Sequence, residues 1–147
     1  MKIFIASDHA GFDLKVVVIG HLKSKGYDVV DSGTNDASSS VDYPDYAKKI
    51  AKEVHSSKGT LGILLCGTGL GMSIAANKVK GIRAVSVSDT FSARMSRMHN
   101  NSNVLCLGSR VVGNGLALDI VDAWLNAEFE GGRHAGRVDK ISKIEGE

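Results

Sequence analysis

Short apolar runs alternate with amphipathic stretches along almost the whole chain. The apolar runs predict strands over residues 2–6, 28–31, 61–66, 82–88 and 103–108. Apolar residues at helical spacing predict helices over residues 10–25, 45–56, 71–79, 91–99 and 114–127. The polar segment that follows predicts a tail that ends in a short helix. Strands of this kind separated by helices are typical of a parallel sheet covered on both faces.

The pattern therefore predicts the α/β class, as a three-layer, doubly wound, Rossmann-like sandwich around a five-stranded parallel sheet. We see no repeat or linker, and we expect one domain over residues 1–147 with a basic C-terminal tail over 131–147. In the first helix, the spacing predicts that one buried face carries Phe12, Val16, Ile19 and Leu22.

Composition narrows the class of protein. The formal net charge of +2 over 147 residues gives no argument for binding nucleic acid. No apolar run approaches the roughly 20 residues that span a bilayer, and the first residues do not resemble a signal peptide. We therefore expect a cytoplasmic protein without nucleic-acid or membrane partners. Cys66 and Cys106 lack the spacing of a zinc site, so we expect free thiols and no metal.

Polar residues follow two of the predicted strands directly. Asp8 and His9 come after the first strand, and Cys66 and Thr68 come at the end of the third. Ligands of such sheets bind outside the carboxyl ends of the strands. If the first and third strands are neighbours, these four side chains share one crevice.

Gly67, Gly69 and Gly71 form a tight turn between a strand and a helix. Such a turn can point amide N–H groups at a phosphate or at a developing oxyanion. Its spacing is neither the dinucleotide fingerprint nor a P-loop. The alternative is a turn with a purely structural role.

Cys66 has two interpretations. A cysteine at the end of an apolar strand is often inert core, but a position before a helix N-terminus favours the thiolate. Asp8 can be an N-cap alone, and His99 and Asn100 can merely end a helix. Cys106 is expected in the core.

Other charged side chains suggest an anion site in the tail. Arg133 and Arg137 are four residues apart, with His134 between them, so one helical face can present both guanidiniums to a phosphate. The alternative is a solvated basic tail. His21 and His55 are expected to be solvated on helix surfaces.

Six stretches together carry a resemblance to a known family. They are SDHAGF (7–12), VDYPDYA (41–47), CGTGLGMSIAANK (66–78), RAVSVSD (83–89), RMSRMHNNSNVLCLGSRVVG (94–113) and GGRHAGRV (131–138). In this order they resemble the type B ribose-5-phosphate isomerases, within a group that includes galactose- and allose-6-phosphate isomerases. Two positions depart from the family pattern, namely Asn101, often acidic in the family, and Gly136, often basic.

The resemblance implies an aldose–ketose isomerase of the pentose phosphate pathway that interconverts ribose 5-phosphate and ribulose 5-phosphate. It implies no metal and no organic cofactor. It also implies a homodimer whose active sites are each completed by the partner subunit, and it leaves open whether dimers pair into tetramers. A hexose-6-phosphate isomerase and a non-catalytic phosphosugar-binding domain are the alternatives.

The resemblance also assigns roles to residues. One branch of the family has a glutamate base near the end of the glycine-turn helix, where this chain has Ala75 and Ala76, so it belongs with the cysteine branch. Cys66 is then the base that moves the proton, and His99 opens the sugar ring with help from Asp8 and Thr68.

The remaining site residues bind the substrate in this hypothesis. The enediolate is stabilised by the N–H groups of Gly69, Leu70 and Gly71, with Asn100. The phosphate is held by His9 and the two arginines of the tail, with Arg110 reaching it from the partner subunit. Tyr43 walls the sugar site or is only a turn aromatic. The predicted substrate-binding residues are Asp8, His9, Tyr43, Gly67, Thr68, Gly69, Leu70, Gly71, Asn100, Arg110, Arg133 and Arg137.

Overall fold

Five strands and six helices alternate along the chain in the computed structural model, which describes residues 1–147. The strands are β1 (Lys2–Ser7), β2 (Asp28–Asp31), β3 (Leu61–Cys66), β4 (Ala84–Ser86) and β5 (Val104–Gly108). The helices are α1 (Phe12–Ser24), α2 (Tyr43–Ser56), α3 (Leu70–Ala76), α4 (Thr90–Asn100), α5 (Asn114–Leu125) and α6 (Arg133–Ile144). None of the helices is long and apolar enough to cross a bilayer.

The strands form one parallel sheet in the order β2-β1-β3-β5-β4, so the predicted fold class is confirmed. The chain leaves β1 to build one side of the sheet and returns at β3 to build the other. The expected adjacency of the first and third strands therefore holds, with Ser7 paired to Leu65. This switch in direction opens a crevice at the carboxyl ends of β1 and β3.

Alternating side chains of the strands point to opposite faces of the sheet and pack into two separate hydrophobic cores. One core lies under α1, α4 and α5, and it contains Ile5, Leu65 and Trp124. The other lies under α2 and α3, and it contains Leu64 and Cys66. Because both faces of the central strands are buried, β3 and β5 have no exposed residue.

The first helix buries a different face from the predicted one. Val16 is 53% exposed, whereas Leu14, Lys15, Val18 and Leu22 are buried. The spacing could not reveal this because the buried lysine interrupts the apolar stripe. Two other differences concern length, since β4 has only three residues and the tail helix α6 has twelve.

His21 is not solvated as expected. Its Nε2 lies 2.8 Å from Oδ1 of Asp122 on α5, and Lys25 donates a hydrogen bond to the other carboxylate oxygen at 2.8 Å. Burial raises the pKa of Asp122, but these hydrogen bonds outweigh burial and hold the pKa below its ordinary value. The contact joins α1 to α5 across the sequence.

Lys15 ties α1 to the segment after β2. Its ammonium is fully buried and donates hydrogen bonds to Oδ1 of Asp31 at 2.7 Å and to the carbonyl of Thr34. Gly33 and Thr34 in turn exchange backbone hydrogen bonds with Ser7 at the end of β1. The buried lysine therefore supports the strand end that leads into Asp8.

We predict that Lys15→Met lowers the free energy of unfolding by about 1–3 kcal/mol, because the Thr34 carbonyl loses its buried partner. Lys23→Met on the exposed side of the same helix is the control, with an expected change of at most about 0.5 kcal/mol. Urea denaturation measures both variants. Equal midpoints for the two variants would contradict the structural role of Lys15.

Candidate active site

Cys66 ends β3 and is only 5% exposed. Its Sγ accepts a hydrogen bond from the N–H of Gly69 at 3.1 Å. An N–H group that points at sulfur stabilises negative charge there. The thiol therefore lies at the head of the glycine turn, with a donor already directed at it.

The glycine turn is held tightly between β3 and β5. Gly69 adopts a left-handed φ of 77°, and a Cβ on Gly108 of β5 would lie only 2.6 Å from the carbonyl carbon of Thr68. The helix that follows has seven residues and begins at Leu70. In so short a helix the direct N–H···S hydrogen bond, rather than a long-range helix field, acts on Cys66.

The three amides predicted to stabilise an oxyanion differ in their availability. The N–H of Gly69 is bonded to Cys66, and that of Leu70 donates to Oγ1 of Thr68 at 3.3 Å. The N–H of Gly71 has no acceptor within the chain. In this state only Gly71 offers a free donor, and the other two must release their partners to bind an oxyanion.

Asp8 and His9 lie at the same edge of the sheet. The N–H of Asp8 bonds the carbonyl of Leu65, and its carboxylate accepts a hydrogen bond from the N–H of Gly11 at 3.0 Å. Asp8 is therefore not the N-cap expected from the sequence, because Gly11 takes that position and the Asp8 carboxylate instead holds the turn that precedes α1. Nδ1 of His9 accepts a hydrogen bond from the N–H of Val41 at 3.2 Å, which assigns the proton of the neutral ring to Nε2.

Tyr43 and Arg110 flank the glycine turn. A Cβ on Gly71 would lie 2.7 Å from the ring of Tyr43, so the missing side chain is what lets the ring approach. A Cβ on Gly67 would lie 3.2 Å from Nη1 of Arg110. The expectation that Arg110 reaches the site from a partner subunit is therefore corrected, because it lies against the turn of its own chain.

His99 and Asn100 do not join this group. They end α4, which begins after the carboxyl end of β4 and leads to the amino end of β5. A helix that connects two parallel strands runs back along the sheet. Its last residues therefore lie at the edge opposite to Cys66, separated by about the length of a five-residue strand, roughly 17 Å.

Arg133 and Arg137 lie with His99, not with Cys66. Both are exposed on the first turns of α6, and the loop before this helix is tied to α4 by a hydrogen bond from the N–H of Glu130 to the carbonyl of Met98 at 3.1 Å. The predicted site residues therefore form two groups within one chain. One group surrounds Cys66 at the carboxyl edge, and the other surrounds His99 at the amino edge.

The group at the amino edge contains a stacked pair of imidazoles. The rings of His99 and His134 lie 4.3 Å apart and 9° from parallel. Oε2 of Glu130 lies 3.3 Å from Nε2 of His134 and 3.9 Å from Nε2 of His99. These three residues are the ones whose ligand atoms could hold a metal ion, within 4.8 Å of one another. The nitrogen lone pairs of parallel rings do not converge on one point, which is unfavourable for a shared metal.

Comparison with known proteins agrees with this arrangement of motifs. The model of the family described as Ribose/Galactose Isomerase matches residues 3–141. The chain belongs to the ribose/galactose isomerase family. Ribose-5-phosphate isomerase B of Escherichia coli is 54% identical over 144 residues, which cover 98% of this chain and 96% of that protein.

Solved structures of family members have the same fold. Ribose-5-phosphate isomerase B from Clostridium thermocellum is 58% identical with a TM-score of 0.97, over 99% of this chain and 98% of that one. The enzyme from Mycoplasma genitalium, solved with bound ribulose 5-phosphate, is 50% identical with a TM-score of 0.95, over 99% and 97% of the two chains.

The sequence did not predict the position of one residue beside His99. His134 is buried, although the sequence placed it in a basic cluster. Val138, four residues later, is buried on the same side of α6, and this spacing was the available signal. Burial lowers the pKa of His134, the charges of His99, Arg133 and Arg137 lower it further, and Glu130 opposes them.

The two thiols of this isomerase-family chain lie in different surroundings. Cys106 is completely buried in β5, and burial, followed by the nearby Cys66, raises the pKa of its thiol. We predict that iodoacetamide alkylates the native protein at Cys66 and spares Cys106, because Cys106 forms no thiolate near neutral pH. Mass spectrometry of digested protein locates the label.

The matched controls are Cys66→Ser and Cys106→Ser. The first should take no label in the native state, the second should take one equivalent, and the unfolded wild type in urea should take two. Native labelling of Cys106 at a rate similar to that of Cys66 would contradict the assigned difference.

Proposed function

We propose that this aldose–ketose isomerase interconverts ribose 5-phosphate and ribulose 5-phosphate as a homodimer with shared active sites. The observation that supports this proposal most directly is the position of Cys66, which lies beside Asp8 and Thr68. Its sulfur accepts a hydrogen bond from the N–H of Gly69. We propose the substrate from the ribulose 5-phosphate bound in the Mycoplasma genitalium relative and from the names of the relatives. We also propose a cytoplasmic location, because a thiol base must stay reduced.

The first step opens the furanose ring. The bond from C1 to the ring oxygen breaks, the ring oxygen gains a proton, and the hydroxyl at C1 loses one to become the aldehyde. His99 is the acid–base group of this step in our proposal, with Asp8 and Thr68 at the opposing side of the sugar. The net number of protons does not change.

The second step moves a hydrogen from C2 to C1. The thiolate of Cys66 takes the proton of C2, and the electron pair left behind forms the C1–C2 double bond of the enediolate. Cys66 then returns the proton to C1, while the hydroxyl proton of O2 passes to O1. The negative charge at O1 is stabilised by the glycine-turn amides and Asn100, and one such donor is worth about 3 kcal/mol.

The phosphate is bound by groups from both edges of the sheet. His9 can present its Nε2–H, since Nδ1 is occupied by Val41. Arg133 and Arg137 supply two guanidiniums one helical turn apart, and Arg110 adds a third beside Gly67. Tyr43 closes the side of the site next to Gly71.

A second copy of the chain is needed because His99 and Cys66 lie at opposite edges. A two-fold axis can bring the amino edge of one subunit to the carboxyl edge of the other twice at once, which closes a dimer. Exposed apolar side chains near the glycine turn support such an interface. Leu70, Ile74 and Val111 are 58%, 65% and 57% exposed. Whether dimers pair further into tetramers is a matter for mass measurement.

Two alternatives predict different results. A hexose-6-phosphate isomerase would use the same residues and prefer a longer sugar, which a panel of pentose 5-phosphates and hexose 6-phosphates distinguishes. A phosphosugar-binding domain would bind without turnover. The placement of a thiol under an N–H donor speaks against it, because an anion cradle needs no thiol.

We predict that Cys66→Ala abolishes isomerisation of ribose 5-phosphate and leaves its binding within about threefold, because only the base is lost. A coupled assay for the ketose phosphate and calorimetric titration measure the two effects. Cys106→Ala, which removes the buried thiol of β5, is the matched control and should keep the wild-type kcat. Near wild-type turnover of Cys66→Ala would refute the assignment of the base.

We predict that mixed subunits of Cys66→Ala and His99→Ala, each inactive alone, regain about a quarter of wild-type activity after joint refolding. Half of the dimers are then mixed, and each mixed dimer has one intact site of its two. Joint refolding of Cys66→Ala with wild type is the control for losses in handling. A mixture that stays inactive would exclude sites shared between subunits.

A further inference from the structure

A buried imidazole supports the exposed imidazole of His99. The side chain of His134 is 7% exposed and that of His99 is 39% exposed, and their rings stack 4.3 Å apart at 9°. A ring stacked on a buried neighbour loses freedom of rotation about its own side-chain bonds. The packing therefore fixes the plane of His99 while leaving its other face open.

Glu130 fixes the edge of the same pair. Its carboxylate approaches Nε2 of both rings, at 3.3 Å for His134 and 3.9 Å for His99. The backbone N–H of Glu130 bonds the carbonyl of Met98, the residue that precedes His99. The carboxylate is thus anchored to the helix that carries His99, and it favours the orientation in which both Nε2 atoms face it.

We propose that His134 and Glu130 are positioning residues that hold the imidazole of His99 in the orientation needed to open the sugar ring. This inference rests on the proposed function, in which His99 transfers the proton. His134 does not touch the substrate in this proposal. It acts through His99, by fixing the ring plane from behind.

The electrostatics of the pair suit this role. Charged groups facing His134 come from α4, from the preceding loop and from α6 itself, namely His99, Glu130, Arg133 and Arg137. Burial, followed by His99, Arg133 and Arg137, lowers the pKa of His134, and this direction favours the neutral ring. A neutral ring stacks on His99 in either protonation state of His99 without charge repulsion, so the support persists throughout the proton transfer.

The test compares His134→Leu with His134→Phe in steady-state kinetics with ribose 5-phosphate. Leucine removes the flat ring, and we expect kcat to fall about tenfold while KM stays within about twofold. Phenylalanine keeps a ring for stacking and should restore kcat to within about threefold of wild type. His21→Leu is the matched control, since it removes another partly buried histidine with a carboxylate partner and should keep kcat.

Glu130→Gln extends the test if the leucine variant does not fold. It removes the charge beside both Nε2 atoms at nearly constant size, and we expect kcat to fall about threefold to tenfold with KM unchanged. Wild-type kcat in either His134→Leu or Glu130→Gln would overturn the inference. A large rise in KM in both His134→Phe and His134→Leu would also overturn it, because it would indicate direct contact with substrate.

A spectroscopic arm separates this inference from the proposed function. In ¹H–¹³C spectra the Cε1–H proton of His99 should be shifted upfield by the ring of His134. We expect the shift to vanish in His134→Leu and to persist in His134→Phe. If the wild type does not turn over ribose 5-phosphate, the proposed function fails, while the spectra still report whether His134 fixes His99. An unchanged His99 shift in His134→Leu would refute the stack itself.

Discussion

The direction of the chain in a parallel sheet determines where this protein can do chemistry. Each helix that joins two parallel strands must run back to the opposite edge. Residues that follow strands, such as Cys66, therefore gather at the carboxyl edge, and residues that end helices, such as His99, gather at the amino edge. The glycine turn, the hydrogen bond of Asp8 to Gly11 and the stacked histidines are all local arrangements within this constraint.

Within each edge, missing side chains allow close contacts. Gly71 admits the ring of Tyr43, Gly67 admits the guanidinium of Arg110, and Gly108 admits the backbone of Thr68. These contacts bring a thiol, a guanidinium and an aromatic ring around one turn. The contact between His99 and His134 does not depend on a missing side chain. Two complete rings are packed face to face there, next to the carboxylate of Glu130.

The sequence was sufficient for the fold class, the parallel sheet and the pairing of the first and third strands, because these follow from apolar periodicity and from polar residues after strands. It could not show that Lys15 is buried, since its partners Asp31 and Thr34 are brought to it only by folding. The contact of His21 with Asp122 is likewise between residues far apart in sequence. Resemblance assigns His99 and Cys66 to one active site, and the direction of α4 places them at opposite edges within a single chain. The burial of His134 was readable only from its spacing to Val138.

The opposite placement of Cys66 and His99 has a consequence for the life of a single chain. In the proposed assembly, a newly made subunit carries both halves of the chemistry and yet has no complete site. Catalytic capacity then arises at association, and at low concentration it follows the law of mass action for dimers instead of the amount of folded chain. Dilution would therefore dissociate the dimer and abolish its activity while the separate subunits are still folded.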